Sequence, residues 1–198
     1  MTQRITTPSK VSAWLECPHY LTLQSRVEDG SLKAPKSVYG SFADLVVKKG
    51  LEHEKACLDA YDQSDKQILP IEPPGGRSFE QWVADVGNPF TGEYDVVYQM
   101  PFIHDGMQGI ADFIVKVPDT ATGGFRYEPV DAKLVRNEAK PGHVLQLCFY
   151  ADAIKALTGV DPRDMHIWLA TGDLETLRAN DFRPYWRRLR TRLTAALA

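Results

Sequence analysis

Hydrophobic positions along the chain follow two different periods. In the N-terminal part they recur at helical spacing. A segment starting at Ser9 runs through Trp14 and Leu15 and passes Cys17-Pro18 toward Leu23, and a longer one over residues 41–61 carries Leu45, Val46, Leu51 and Leu58. A shorter helix is expected to start at Ser78, where Ser78 and Gln81 have the spacing of a capping box, and to end near Gly87. Residues 94–100 and 107–117 are instead rich in β-branched and aromatic side chains, and Asp105-Gly106 between them signals a hairpin. A third strand over 125–135 follows the glycine-rich loop 120–124. Then come a helix over 141–157 closed by Gly159, a strand over 165–170, a possible partner strand at 174–177 and a last helix from Phe182. This order predicts an α/β fold with a mixed sheet and N-terminal helical additions.

Composition narrows the class. The 198 residues, 43% hydrophobic and 25% charged with a net charge of -3, describe an ordinary soluble chain, expected to form one domain over residues 1–198. No apolar run approaches the roughly 18 residues of a membrane span, and the N-terminus lacks the apolar stretch of a secretory signal. A cytoplasmic protein with no membrane partner is expected. The three cysteines, at 17, 57 and 148, suit neither a disulfide framework nor a metal knuckle, so packed, reduced thiols are expected, Cys17 included. There is no P-loop, no GxGxxG and no GxSxG. Residues 181–198 hold five arginines against Asp181, a local basic excess.

Strand periodicity places Asp112 among Ile110 and Ile114 on one face of a core strand, where a carboxylate needs a partner. On the next strand Asp131 and Lys133 are two apart and point the same way. One reading is a partly buried ion pair of Lys133 with Asp112 or Asp131; the other is a site at one end of the sheet. Gln146 and Tyr150 share a helix face at i,i+4 spacing, which taken alone is a core edge. The run Leu51-Glu52-His53-Glu54-Lys55 taken alone is a solvated helix face.

The ordered combination of His53-Glu54, Gly109-x-Ala-Asp112-Phe, Tyr127-Glu128-Pro-Val-Asp131-Ala-Lys133 and Gln146-Leu-x-x-Tyr150 resembles the RecB-like branch of the PD-(D/E)XK nucleases. Thr7-Pro8-Ser9, Trp14-Leu15-Glu16-Cys17-Pro18, Gly50-Leu-Glu-His-Glu and Asp181-Phe182-x-x-Tyr185 extend the similarity to bacterial members often joined to a helicase. The resemblance implies a restriction-endonuclease-like core in αβββαβ order and a Mg²⁺- or Mn²⁺-dependent DNA nuclease of repair or end processing, more exonuclease than endonuclease. It also implies a helicase partner in cis or trans. Many members carry Glu where Asp131 stands; the carboxylate is kept on a shorter arm. Some relatives ligate an iron–sulfur cluster through four cysteines, and three cannot complete one, so no cluster is expected.

Within that resemblance Asp112, Asp131, His53 and the Ala132 carbonyl are the expected metal ligands, oxygen donors favouring Mg²⁺ or Mn²⁺ over zinc. Lys133 is placed beside the attacking water or the scissile phosphate, and Gln146 and Tyr150 are expected to orient Lys133 or the DNA backbone. Glu54 is a candidate for a second metal or for solvent. Glu128 falls on the face opposite Asp131 unless Pro129 bends the strand. Arg187 and Arg188 are candidate phosphate contacts, with Trp186 among them for base stacking, although a basic terminal helix is as often a solvated face. The alternative is a DNA-binding or scaffolding module without catalysis. The last helix reaches Ala198 without a cap, from which a longer native chain is expected.

Overall fold

A computed structural model of the chain describes residues 6–35 and 40–197; Ala198, on which the expectation of a longer chain rests, lies outside them. Helix α1 (Pro8–Glu16) is capped by the Thr7 side chain, which accepts from the Lys10 N–H at 3.3 Å. The continuous helix expected through Cys17-Pro18 is in fact two. Cys17 is extended, as the residue before a proline is sterically driven to be, and α2 (Tyr20–Glu28) starts afresh beyond it. Helix α3 spans Gly40–Asp62, and α4 (Phe79–Val86) is held by the expected reciprocal cap between Ser78 and Gln81. A three-residue strand β1 (Ile68–Pro70) between them was not legible, being too short to show alternation.

Strands β2 (Val96–His104), β3 (Met107–Asp119) and β4 (Gly124–Lys133) form an antiparallel meander. The β2–β3 turn has φ of 53° at Asp105 and 75° at Gly106, the doubly left-handed geometry that an Asp-Gly pair favours. Helix α5 (Pro141–Thr158), closed by left-handed Gly159, crosses back so that β5 (Asp164–Leu169) lies parallel to β4. Strand β6 (Leu174–Arg178) adds antiparallel to β5, and α6 (Ala179–Leu197) begins three residues earlier than expected. The described residues thus form a mixed α/β fold, six helices around one six-stranded sheet of order β1-β2-β3-β4-β5-β6. None of these helices is long and apolar enough to cross a membrane.

Two apolar clusters sandwich the sheet. The larger packs Leu147, Phe149, Tyr150 and Ile154 of α5, with Trp186 and Leu189 of α6, on Val97, Met100, Ala111, Ile114 and Ile167. The smaller packs Cys57, Leu58 and Tyr61 of α3 on Val96, Phe113 and Val130. Only the C-terminal half of α3 therefore meets the core. Leu58 packs as expected, whereas Leu45, Val46 and Leu51 are exposed. Of the thiols, Cys57 and Cys148 are buried, but Cys17 is exposed rather than packed, since it lies in the break between α1 and α2.

Candidate active site

The chemistry collects where the sheet splits. Strands β3 and β4 are paired from Asp119–Gly124 up to Phe113–Val130, and there the ladder stops. From Val130 to Lys133, β4 runs beside β5 instead. The next pair in the same antiparallel register would be Asp112 opposite Asp131, two like charges that a closed ladder disfavours. The fork is bridged by the Ala132 N–H, which donates to Asp112 Oδ2 at 2.9 Å. Because the N–H and C=O of a strand residue share one edge, the Ala132 carbonyl faces the same opening.

Asp131 is fully buried, and neither of its oxygens has an aligned hydrogen-bond donor. Lys133 Nζ lies 2.8 Å from Oδ2, near enough for an ion pair. Burial, then the Asp131 charge, pushes the Asp112 carboxyl well above the usual carboxylate range. Burial works against the Lys133 ammonium, but Asp131, Asp112 and Glu54 outweigh it and hold its pKa above the ordinary value. Among the described residues, buried Asp131 and half-buried Asp112 share one partly exposed cation, Lys133, and it is the cost of two ionised carboxylates there that raises Asp112.

The two neighbours on α3 diverge, as residues 100° apart on a helix do. His53 Nε2 lies 3.0 Å from the Trp168 carbonyl and 3.9 Å from Cys57 Sγ, directed toward β5. That nitrogen donates to the carbonyl, which leaves Nδ1 as the ring nitrogen able to serve as a ligand. Glu54 faces β2. Its Oε1 accepts from the Tyr98 hydroxyl at 2.7 Å and from Gln99 Nε2. Burial first, and Asp112 after it, raise the Glu54 carboxyl despite those donors and Lys133, so Glu54 shares the field of the fork.

Gln146 and Tyr150 bond to each other and to β3 rather than to Lys133. The Tyr150 hydroxyl donates to the Ile110 carbonyl and accepts from Gln146 Nε2 at 2.9 Å, bracing β3 two residues before Asp112. Gly109 makes room for this contact: a Cβ there would meet Phe149 at 3.1 Å and Tyr150 at 3.2 Å. Sequence reasoning also missed His143, in the first turn of α5 and one turn from Gln146. Its Nδ1 accepts from the Lys140 N–H at 3.2 Å. Burial, then Lys133 and Lys140, push its imidazole down to about 4, so a neutral ring stands near Lys133 at neutral pH.

Glu128 lies on the opposite face of the sheet. Pro129 stays in register with Ile114, so the strand is not bent there. Glu128 accepts from the Asp164 N–H at 3.2 Å, and its other oxygen lies 3.0 Å from His166 Nε2. Arg187 and Arg188 are exposed on α6. Trp186 between Tyr185 and Arg187 cannot stack on a base, because it is buried with its Nε1 donating to Asp152 at 2.8 Å. Among the described residues no group of three or more His, Cys, Asp or Glu is gathered to hold a metal. No protein-family model matches the chain, and no curated protein matches it.

Proposed function

We propose that the fork between β3 and β4 is a divalent-metal site and that the chain hydrolyses phosphodiester bonds of DNA, as the resemblance to RecB-like PD-(D/E)XK nucleases implies. The observation that carries this reading is Asp131, a fully buried carboxylate with no aligned donor on either oxygen, one residue past the last β3–β4 pair, where continued register would set it against Asp112. Lys133 Nζ answers part of that charge from 2.8 Å, and a divalent cation would satisfy the oxygens that accept no aligned hydrogen bond. Oxygen donors from Asp112, Asp131 and the Ala132 carbonyl suit Mg²⁺ or Mn²⁺, and Mg²⁺ characteristically takes one or two carboxylates and keeps several waters rather than a full protein cage. Such an ion, when bound, supplies Lewis-acid polarisation of a phosphoryl oxygen and lowers the pKa of water.

Within this reading the chain's own residues have separate tasks. Lys133, kept protonated by its carboxylate neighbours, neutralises charge that builds on the phosphate in the transition state. Tyr150 and Gln146 hold the end of β3 so that Asp112 keeps its position across from Asp131. The exposed Arg187 and Arg188 offer phosphate contacts, and a helicase in cis or trans would deliver ends or single strands. Cleavage of end-labelled single-stranded and duplex DNA by the purified chain in Mg²⁺, Mn²⁺ or EDTA tests the proposal. Absence of cleavage together with absence of metal binding overturns it. A second reading, a module that grips DNA without cutting it, is favoured by the lack of a three-ligand group among the described residues. It predicts salt-sensitive DNA binding that is indifferent to Asp112 and Asp131.

A further inference from the structure

Strand β2 carries an irregularity aimed at the same fork. Tyr98 pairs with Phe113 and Met100 with Ala111, while Gln99 and Asp112 between them fall outside the ladder. Gln99 has φ of 59°, the left-handed region that L side chains rarely adopt. The face alternation inverts there: Val97 and Met100, three residues apart, both pack in the α5-side cluster, whereas a regular strand would send them to opposite faces. Through this inversion Tyr98 and Gln99, adjacent in sequence, both reach α3 and donate to one oxygen of one carboxylate, Glu54 Oε1. Among the described residues no donor reaches the other oxygen. An unfavourable backbone conformation persists only where its surroundings enforce it, and such residues concentrate at functional sites.

We propose that Gln99 is a positioning residue that, with Tyr98, fixes the Glu54 carboxylate beside Asp112 as a further oxygen donor to the divalent cation. This rests on the reading of the fork as a metal site. Its independent support is the buried Asp131 carboxylate at the same opening, which accepts no aligned hydrogen bond and has Lys133 Nζ 2.8 Å from Oδ2. Gln99 adds no ligand atom of its own; it orients one, in the way a ligating carboxylate is commonly held by an outer hydrogen bond.

Gln99→Gly separates this role from a structural one, since glycine accepts the left-handed backbone and only the amide is lost. Calorimetric titration of MnCl₂ into the metal-free chain, with thermal melting of the same samples, reads both effects. Gln99→Gly is expected to melt no lower than wild type and to bind Mn²⁺ about 10-fold or more weakly. Glu54→Gln is expected to weaken Mn²⁺ at least as much, and Gln99→Gly added to it to cost little more, because the two act through one carboxylate. Wild-type Mn²⁺ affinity in a folded Gln99→Gly, or losses that simply add in the double variant, overturns the positioning role while leaving the metal site standing. No Mn²⁺ binding by wild type overturns both. If Gln99→Gly fails to fold, Gln99→Asn and Tyr98→Phe, each deleting or shortening one donor to Glu54, carry the same test against Glu54→Gln.

Discussion

Replacing Asp131 by Asn distinguishes a metal-binding fork from a structural ion pair. Asp131 is fully buried opposite Asp112, without aligned donors, and Lys133 Nζ is 2.8 Å from it. Breaking a buried ion pair ordinarily costs about 3–5 kcal/mol, because the remaining charge is left uncompensated. Here Lys133 is partly exposed and stays in the field of Asp112 and Glu54, while the charge that disfavours ionisation of Asp112 disappears. The opposing terms leave the metal-free protein within about 1 kcal/mol of wild type, or about 2–4 °C for a chain of this length. Metal is expected to separate the two proteins. At a free cation concentration of about 100 times Kd, wild type gains about 2.7 kcal/mol, which corresponds to about 5–11 °C, and Asp131→Asn gains close to nothing. Melting in EDTA and across a series of MgCl₂ and MnCl₂ concentrations measures both effects. If Asp131→Asn loses about 3–5 kcal/mol in EDTA and wild type ignores both cations, the pair is a structural brace and the reasoning fails.

Four further outcomes follow from the geometry. His143 is neutral in the folded chain down to about pH 4 but titrates at its ordinary 6.5 when unfolded, so stability should fall on acidification through that window. His143→Gln, which keeps an acceptor at the helix N-terminus, should flatten that part of a urea-midpoint profile, and an unchanged slope contradicts it. Tyr150→Phe strips the Ile110 carbonyl of its donor and should cost about 1–3 kcal/mol in urea unfolding, with Gly109→Ala costing a similar amount by crowding the same ring; wild-type stability in both would remove the brace. Glu128→Gln lies across the sheet from the fork and should lower stability without touching the metal-induced rise in Tm, so a lost rise would sink the two-face assignment. Arg187→Ala with Arg188→Ala should reduce the log-log salt slope of DNA binding by about 1.4–1.8, and an unaltered slope puts the DNA elsewhere.

Local signals in the chain were legible where one residue type has one job. Ser78 with Gln81 starts a helix, Asp105-Gly106 turns a hairpin and Gly159 ends α5, each with the backbone geometry its chemistry demands. The alternation that sent Glu128 to the face opposite Asp131 was also legible, because Pro129 remains in register, whereas the alternation read around Asp112 breaks, with Ala111 and Ile114 in one cluster and Phe113 in the other. What stayed hidden depends on tertiary contacts. Neither His53 nor Glu54 announces which of them faces β2, since a rotation of 100° decides it and only packing sets that rotation. Gln99 adopts a left-handed φ without being glycine or asparagine, so no sequence cue marks the inversion. Trp186, read among arginines, spends its indole on Asp152 and the core instead of the surface. The Tyr150 hydroxyl is taken by a strand carbonyl 40 residues away in sequence, which i,i+4 spacing on α5 cannot reveal.

We propose that a metal-loaded fork cuts DNA with the help of Lys133. End-labelled single-stranded DNA, incubated with wild type, Asp131→Asn and Lys133→Met in Mn²⁺ and in EDTA, tests it most directly when each preparation is also checked for melting temperature and DNA affinity. The proposal predicts Mn²⁺-dependent products from wild type and none in EDTA. Asp131→Asn should bind DNA as tightly as wild type or more so, yet cut poorly, with partial recovery in excess Mn²⁺. Lys133→Met should bind metal normally and turn over at least about 100-fold more slowly, with no recovery. Cleavage at the wild-type rate by folded Lys133→Met, or no cleavage by wild type in either cation, would contradict it.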